Sequence, residues 1–144
     1  MCGRYSLFAD QADIEARFDA TFGFDFEPRY NAAPGQDLPV ITDADPDSVT
    51  RLEWGLVPRW ADDASERHIN ARSETVTDKP AFADAYESRR CLVLADGFYE
   101  WVETDTGKQP YRVAFEDDRP FAMAGLWERW TPKTHQTGLG DFGN

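Results

Sequence analysis

The chain has 144 residues, 41% of them hydrophobic, with ten Phe, five Trp and five Tyr. That is enough for one domain with its own core, and no apolar run approaches the ~20 residues of a membrane span. Acids outnumber bases 27 to 15, for a net charge of −12, the opposite of the basic footprint that nucleic-acid binding calls for. The basic charge is almost all arginine, with only Lys79, Lys108 and Lys133 besides. An acidic, lysine-poor chain fits a salt-saturated cytoplasm, where a Debye length of ~3 Å or less stops net charge from deciding partners. Cys2 and Cys91 are the only cysteines, too few for a disulfide framework or a thiolate metal site. His68 and His135 lack metal-ligand spacing. The expectation is a reduced, cytoplasmic monomer with no metal, no cofactor and no membrane partner.

In chain order, Arg4 to Phe8 reads as a short strand rather than a charged-then-apolar leader. Asp10 is placed to cap a helix over Gln11 to Phe18, with Ile14 and Phe18 on one face. Phe22, Phe24 and Phe26 alternate along a core edge. Arg29 to Gln36 reads as a loop because of its Pro34-Gly35 pair. Leu38 to Thr42 and Val49 to Val57 read as strands around an acidic turn, Asp43 to Asp47, and Pro58 ends the second. Ile69 to Glu74 is short and extended, which would set Asn70, Arg72 and Glu74 on one side. Asp78 and Pro80 announce a helix running to Ser88. Cys91 to Ala95 is a continuous apolar strand, and Asp96-Gly97 has the spacing of a tight hairpin turn into Phe98 to Val102. Asp105 to Lys108 turns again into Tyr111 to Phe115, and Phe121 to Trp130 forms the last strand. This pattern is α+β, a mostly antiparallel, barrel-like β-sheet core with a few short helices. It predicts one domain over residues 2–130 and a glycine-rich loop or tail over 131–144, and that loop composition leads us to expect a domain cut short at its C-terminal end.

Several residues have the chemistry for a site. A small residue at position two favours removal of Met1, which would leave Cys2 with an α-amine and a thiol on neighbouring carbons. These titrate near ~8 and ~8.5, so both are partly available at neutral pH. Such a 1,2-aminothiol condenses with an aldehyde to an imine and then closes to a thiazolidine. Taken alone, the first residues favour a plainer reading, an incidental cysteine on a frayed terminus. Glu100 lies mid-strand among Phe98, Tyr99 and Trp101. Facing inward it would be desolvated and suited to proton transfer, and facing outward it is ordinary surface; the pattern leaves both open. Asn70 and Arg72 are suited to a ligand or phosphate, although taken alone they favour the plainer reading of a surface strand edge. Trp60, after a proline, is either a stacking platform or a core cap.

Two families begin Met-Cys-Gly. Class II glutamine amidotransferases use an N-terminal cysteine, but they need a His-Arg-Gly loop and an Asn-Gly pair that this sequence lacks. The closer resemblance is to the SRAP family, the SOS-response-associated, abasic-site-processing proteins. It is carried by Met1-Cys2-Gly3-Arg4-Tyr5, Arg29-Tyr30-Asn31-Ala32-Ala33-Pro34, Trp54 to Pro58, Asn70 to Thr75, and Arg90-Cys91-Leu92 through Asp96-Gly97-Phe98-Tyr99-Glu100-Trp101. The resemblance runs from residue 2 to about residue 130. It implies a DNA-damage protein that binds abasic sites in single-stranded DNA and joins Cys2 to the ring-opened sugar as a thiazolidine crosslink. It implies that Asn70 orients the amine and sugar, that Glu100 shuttles protons, that Arg4 and Arg72 grip phosphates, and that Trp60 and Pro34 support a bent strand. It also implies autoproteolytic removal of Met1, hence a peptidase activity. The sequence departs from the family in lacking a His-Asp-Arg-Met-Pro-like motif, in having Ala61 beside Trp60, and in its negative charge. A hydrolase of the amidotransferase type and a non-catalytic single-strand binding module are the alternatives.

Overall fold

The computed structural model describes residues 2–133. Nine strands and two helices follow the chain: β1 (Tyr5–Leu7), α1 (Gln11–Phe18), β2 (Thr21–Phe22), β3 (Arg29–Ala32), β4 (Asp37–Thr42), β5 (Asp45–Glu53), α2 (Ala83–Ser88), β6 (Arg90–Ala95), β7 (Gly97–Thr104), β8 (Gly107–Val113) and β9 (Phe121–Leu126). They form a four-stranded sheet in the order β3-β1-β7-β8 and a five-stranded sheet in the order β2-β5-β4-β6-β9. All pairings are antiparallel except β2 with β5. The α+β class expected from the sequence is the one observed, built as two open sheets rather than one closed barrel among the described residues.

The apolar run of β6 has a direct cause. Leu94 joins a cluster with Leu7, Ile14, Phe22, Ile41 and Val49. Its neighbour Ala95 joins a second cluster with Tyr5, Ala32 and Leu38. Successive side chains of a strand point to opposite faces, so the end of β6 at Leu94 and Ala95 is covered on both, while Leu92 stays 42% exposed. Helix α1 lays Ile14, fully buried, and Phe18 against the first cluster. It ends at Asp19, whose φ of 50° is left-handed and whose N–H reaches the Glu15 carbonyl. Phe24 and Phe26 pack at the margin of that cluster, as their alternation predicts.

Several boundaries differ from the sequence reading. Arg29–Ala32 is the edge strand β3, not loop; only the residues around Pro34 and Gly35 turn. The acidic turn shrinks to Asp43-Ala44, because Thr42 pairs with Asp45 and carries β5 back to Asp45. The extended stretch expected over Ile69 to Glu74 forms no strand, since residues 69–72 are irregular and 73–78 are turns, and α2 begins at Ala83 after further turns in which Thr75 and Lys79 carbonyls accept the bonds. The last strand stops at Leu126.

The largest correction concerns Asp96-Gly97. It is no hairpin turn: β6 pairs with β4 and β9, whereas β7 pairs with β1 and β8. The chain passes there from one sheet to the other. Asp96 is 1% exposed, and its carboxylate accepts hydrogen bonds from Ser6 Oγ (2.6 Å), Phe8 N (2.5 Å), Ala9 N (2.8 Å) and Arg112 Nη2 (3.0 Å). Arg112 also donates from Nε to Ser6 Oγ (3.0 Å). A buried carboxylate must be paired in this way to be tolerated, and this one fastens β1 to the crossing point. No helix among the described residues is long and apolar enough to cross a membrane.

Candidate active site

The site grows from the short arm that leads into β1. Tyr5 and Leu7 point into the two clusters, so the alternate residues Arg4 and Ser6 face the other side of the sheet. Cys2, two residues before the strand, is half-buried and packs against the Tyr5 cluster together with Trp54 and Phe98. Its Sγ lies 3.3 Å from the Arg4 carbonyl oxygen, and the same carbonyl accepts the Tyr99 N–H at 3.0 Å. The arm is therefore tied to β7 where Glu100 follows. Burial pushes the Cys2 thiol pKa up, and the negative charge of Glu100 pushes it in the same direction.

Asn70 comes from the other side. Its Nδ2 donates to the Cys2 carbonyl oxygen at 2.9 Å, so it holds the backbone that carries the α-carbon. Asn70 is held in turn by Trp54, a residue that sequence reasoning left without a role. The Trp54 indole donates to the Ile69 carbonyl at 2.7 Å, and its ring tilts against Tyr5 at 5.4 Å. Its backbone bonds Gln36 and Gly35, which closes the Pro34 turn. One tryptophan thus sets the Pro34 loop and the Asn70 segment around the arm. The Trp54-Gly55-Leu56-Val57-Pro58 stretch marked it in the sequence, but nothing there distinguished a scaffold from a strand.

Glu100 is exposed, which removes the inward-facing alternative. It shares the face of Phe98, but two residues further on β7 has run past the rim of the core. Its carboxylate is within electrostatic reach of the Cys2 thiol and open to water. The structure therefore brings Cys2, Asn70 and Glu100 together, whereas Arg4 contributes its backbone carbonyl and turns its side chain to the other face of the sheet. Arg72 is exposed and makes no ion pair among the described residues. Trp60 is 52% exposed, which rules out the core-cap reading. Its indole donates to the Pro80 carbonyl at 3.4 Å, and it opens onto a separate cavity of about 350 Å³ with His68, Lys79 and Phe82. Pro34 is half-buried in its turn. No bond links Trp60, Arg72 or Pro34 directly to Cys2 among the described residues. His135 lies outside the described residues. Cys91, the second thiol, is buried under β9 and pushed up to about 11 by desolvation, which suits packing and not nucleophilic work. Among the described residues no group of three or more His, Cys, Asp or Glu side chains is placed to hold a metal ion.

The chain is similar to known proteins over most of its length. The chain is 43% identical over 143 residues to the abasic site processing protein YoaM of Bacillus subtilis, covering 94% of this chain and 62% of that one. It is 34% identical over 139 residues to the abasic site processing protein HMCES of Xenopus tropicalis, covering 74% of this chain and 42% of that one. Among solved structures, a protein from Bacteroides thetaiotaomicron superposes with a TM-score of 0.82 at 28% identity, over 93% of this chain and 63% of its own. A phage-related protein from Bordetella bronchiseptica superposes with a TM-score of 0.72 at 32% identity, over 89% and 62%. The chain thus spans about three-fifths of the length of the Bacillus relative. The profile of the SOS response associated peptidases matches residues 1–140, and with the arm, the Asn70 contact and the two-sheet fold in place, the chain belongs to the SRAP family.

Proposed function

We propose that this protein acts in the response to DNA damage by capturing abasic sites in single-stranded DNA through Cys2. The observation that carries the reading is the bond from Asn70 Nδ2 to the Cys2 carbonyl (2.9 Å), made beside the carboxylate of Glu100. An isolated terminal cysteine would need no such clamp, whereas a reacting aminothiol must be oriented. Relatives named abasic site processing proteins support the choice of substrate.

The chemistry balances without a cofactor. Once Met1 is removed, by autoproteolysis or by a separate peptidase, the Cys2 amine adds to the aldehyde carbon of the ring-opened sugar. The resulting carbinolamine loses water to give an imine. The thiol sulfur then adds to the imine carbon, and its proton ends on the nitrogen, closing the thiazolidine. Glu100 is the proton carrier: it delivers a proton to the departing hydroxyl, recovers one from the nitrogen as the imine forms, and passes the thiol proton to that nitrogen as the ring closes. Asn70 keeps the arm in line with the sugar, Arg4 and Arg72 meet the flanking phosphates, and Pro34 and Trp60 brace the bent strand. The protein acts as a monomer and reacts once per crosslink.

Incubation with an oligonucleotide carrying one abasic site tests the reading. A gel-shifted species that survives denaturation is expected, and Cys2→Ala should abolish it. Persistence of the adduct in that variant would remove Cys2 as the nucleophile. Ammonia release from glutamine without a DNA adduct would point to an amidotransferase instead, and binding without any adduct to a simple single-strand binder.

A further inference from the structure

Tyr30, Tyr99 and Trp101 fall within the shared motifs but take no part in the chemistry at Cys2. Because Tyr5, Leu7 and Phe98 face the core, the alternation of β1 and β7 puts Arg4, Ser6, Phe8, Tyr99 and Trp101 on the opposite face of the four-stranded sheet. Ser6 is completely covered there, beneath Arg112. The Arg112 guanidinium lies 4.7 Å over the Phe8 ring, and Phe8 stacks on Tyr30 at 5.1 Å with planes 23° apart. The Tyr99 hydroxyl crosses β1 to donate to the Tyr30 carbonyl at 2.6 Å. Trp101 sits 6.5 Å beyond Tyr99. Yet Tyr30 remains 65% exposed and Trp101 43% exposed.

We propose that this outer face is a stacking platform for unpaired nucleobases on the strand whose lesion lies at Cys2. The inference rests on the function proposed above and names where the neighbouring nucleotides go. Three features favour single-stranded DNA as the occupant. The rings are held in place by neighbours while their outer faces stay open, so little rotamer freedom is lost on binding. Arg4 lies on the same face and makes no ion pair among the described residues, leaving its charge available to a phosphate. The platform and the nucleophile adjoin at the end of β1, where the Arg4 carbonyl accepts from both the Cys2 thiol and the backbone amide of Tyr99. Neighbouring strands lie ~4.8 Å apart, so aromatics on β3 and β7 bracket β1 within ~10 Å, the reach of about three stacked bases at ~3.4 Å each. Sheet-borne aromatics read single strands in this way, with little sequence preference. Arg112 is engaged by Asp96 and serves to hold Phe8.

Fluorescence anisotropy with labelled single strands tests the platform whether or not an adduct forms. Two oligonucleotides carry one abasic site, flanked either by normal nucleotides or by base-less tetrahydrofuran residues. The wild-type protein should bind the base-bearing strand about tenfold more tightly. Tyr30→Ala and Trp101→Leu should each lose most of that preference, and Tyr30→Phe should keep it; Tyr30 is exposed enough that its replacement leaves the fold intact. Equal wild-type binding to both strands, or an undiminished preference in the two variants, would overturn the proposal. Failure of the Cys2 adduct with every strand would count against the function, whereas an adduct with no dependence on flanking bases counts against the platform alone.

Discussion

At the scale of single residues, Cys2 works against its own environment. Burial and the Glu100 carboxylate both disfavour the thiolate, which holds the sulfur back as a nucleophile relative to an exposed cysteine. That suits a reaction in which the imine must form before the ring closes. Replacing Glu100 with Gln removes one of the two causes and leaves the other. The expected outcome is a pH profile of Cys2 alkylation displaced to lower pH, together with slower crosslinking, because the proton carrier has gone. Iodoacetamide labelling followed by mass spectrometry across pH 6–10 reads the first, and adduct kinetics the second. An unmoved profile would mean that the carboxylate does not act on the thiol. The sequence singled out Cys2 by its aminothiol chemistry, Glu100 as a carboxylate among aromatics, and Asn70 only through the motif Asn70 to Thr75 that it shares with the family. It could not settle where Glu100 faces, since strand alternation gives the face of the sheet but not where the core ends.

At the scale of elements, the Asp96 junction decides whether the arm is held in register. Four donors converge on one buried carboxylate, and the bonds to Ser6, Phe8 and Ala9 all belong to β1 or the residues just after it. Asp96→Ala would leave the Arg112 guanidinium and three other donors without their acceptor. Removing one partner of a buried pair typically costs about 3–5 kcal/mol. A loss of unfolding free energy of that size, read from urea denaturation, is expected, with a smaller loss in Asp96→Asn, which keeps the shape and one of the two acceptor oxygens. An Asp96→Ala variant with unchanged stability would show that β1 is anchored otherwise. This junction is also where the sequence misled. Asp-Gly between two apolar runs is a strong hairpin signal, and nothing local reveals that the runs belong to different sheets. Pairing partners are set by distant strands, and the clue that Asp96 is buried, namely Ser6 and Arg112 far away in the chain, appears only in three dimensions. Helix α1 shows the opposite case: its limits, Gln11–Phe18, follow from local periodicity and were readable from the sequence.

For the whole molecule, the net charge of −12 sets a condition on everything above. Like charges on a compact surface repel one another and the DNA backbone alike. Some ion pairs among the described residues are fully exposed, such as Lys108 with Glu103, and exposed pairs add little to stability; Arg89 with Glu128 is largely buried. The buried Arg112–Asp96 pair is screened far less by salt than surface charge is. Added salt should therefore relieve more repulsion than it removes attraction, and the melting temperature should rise as KCl goes from 0.01 M to 1 M and the Debye length falls from ~30 Å to ~3 Å. Binding should respond gently. If Arg4 and Arg72 make the phosphate contacts, two contacts at ~0.7 each on a single strand give a log–log salt slope of about −1.4. Relief of the repulsion between the acidic surface and DNA makes the observed slope shallower still. Thermal unfolding and anisotropy titrations over one KCl series check both halves. A melting temperature that falls with salt would refute the account of the acidic surface. A slope much steeper than about −1.4 would show that more than these two arginines meet the backbone.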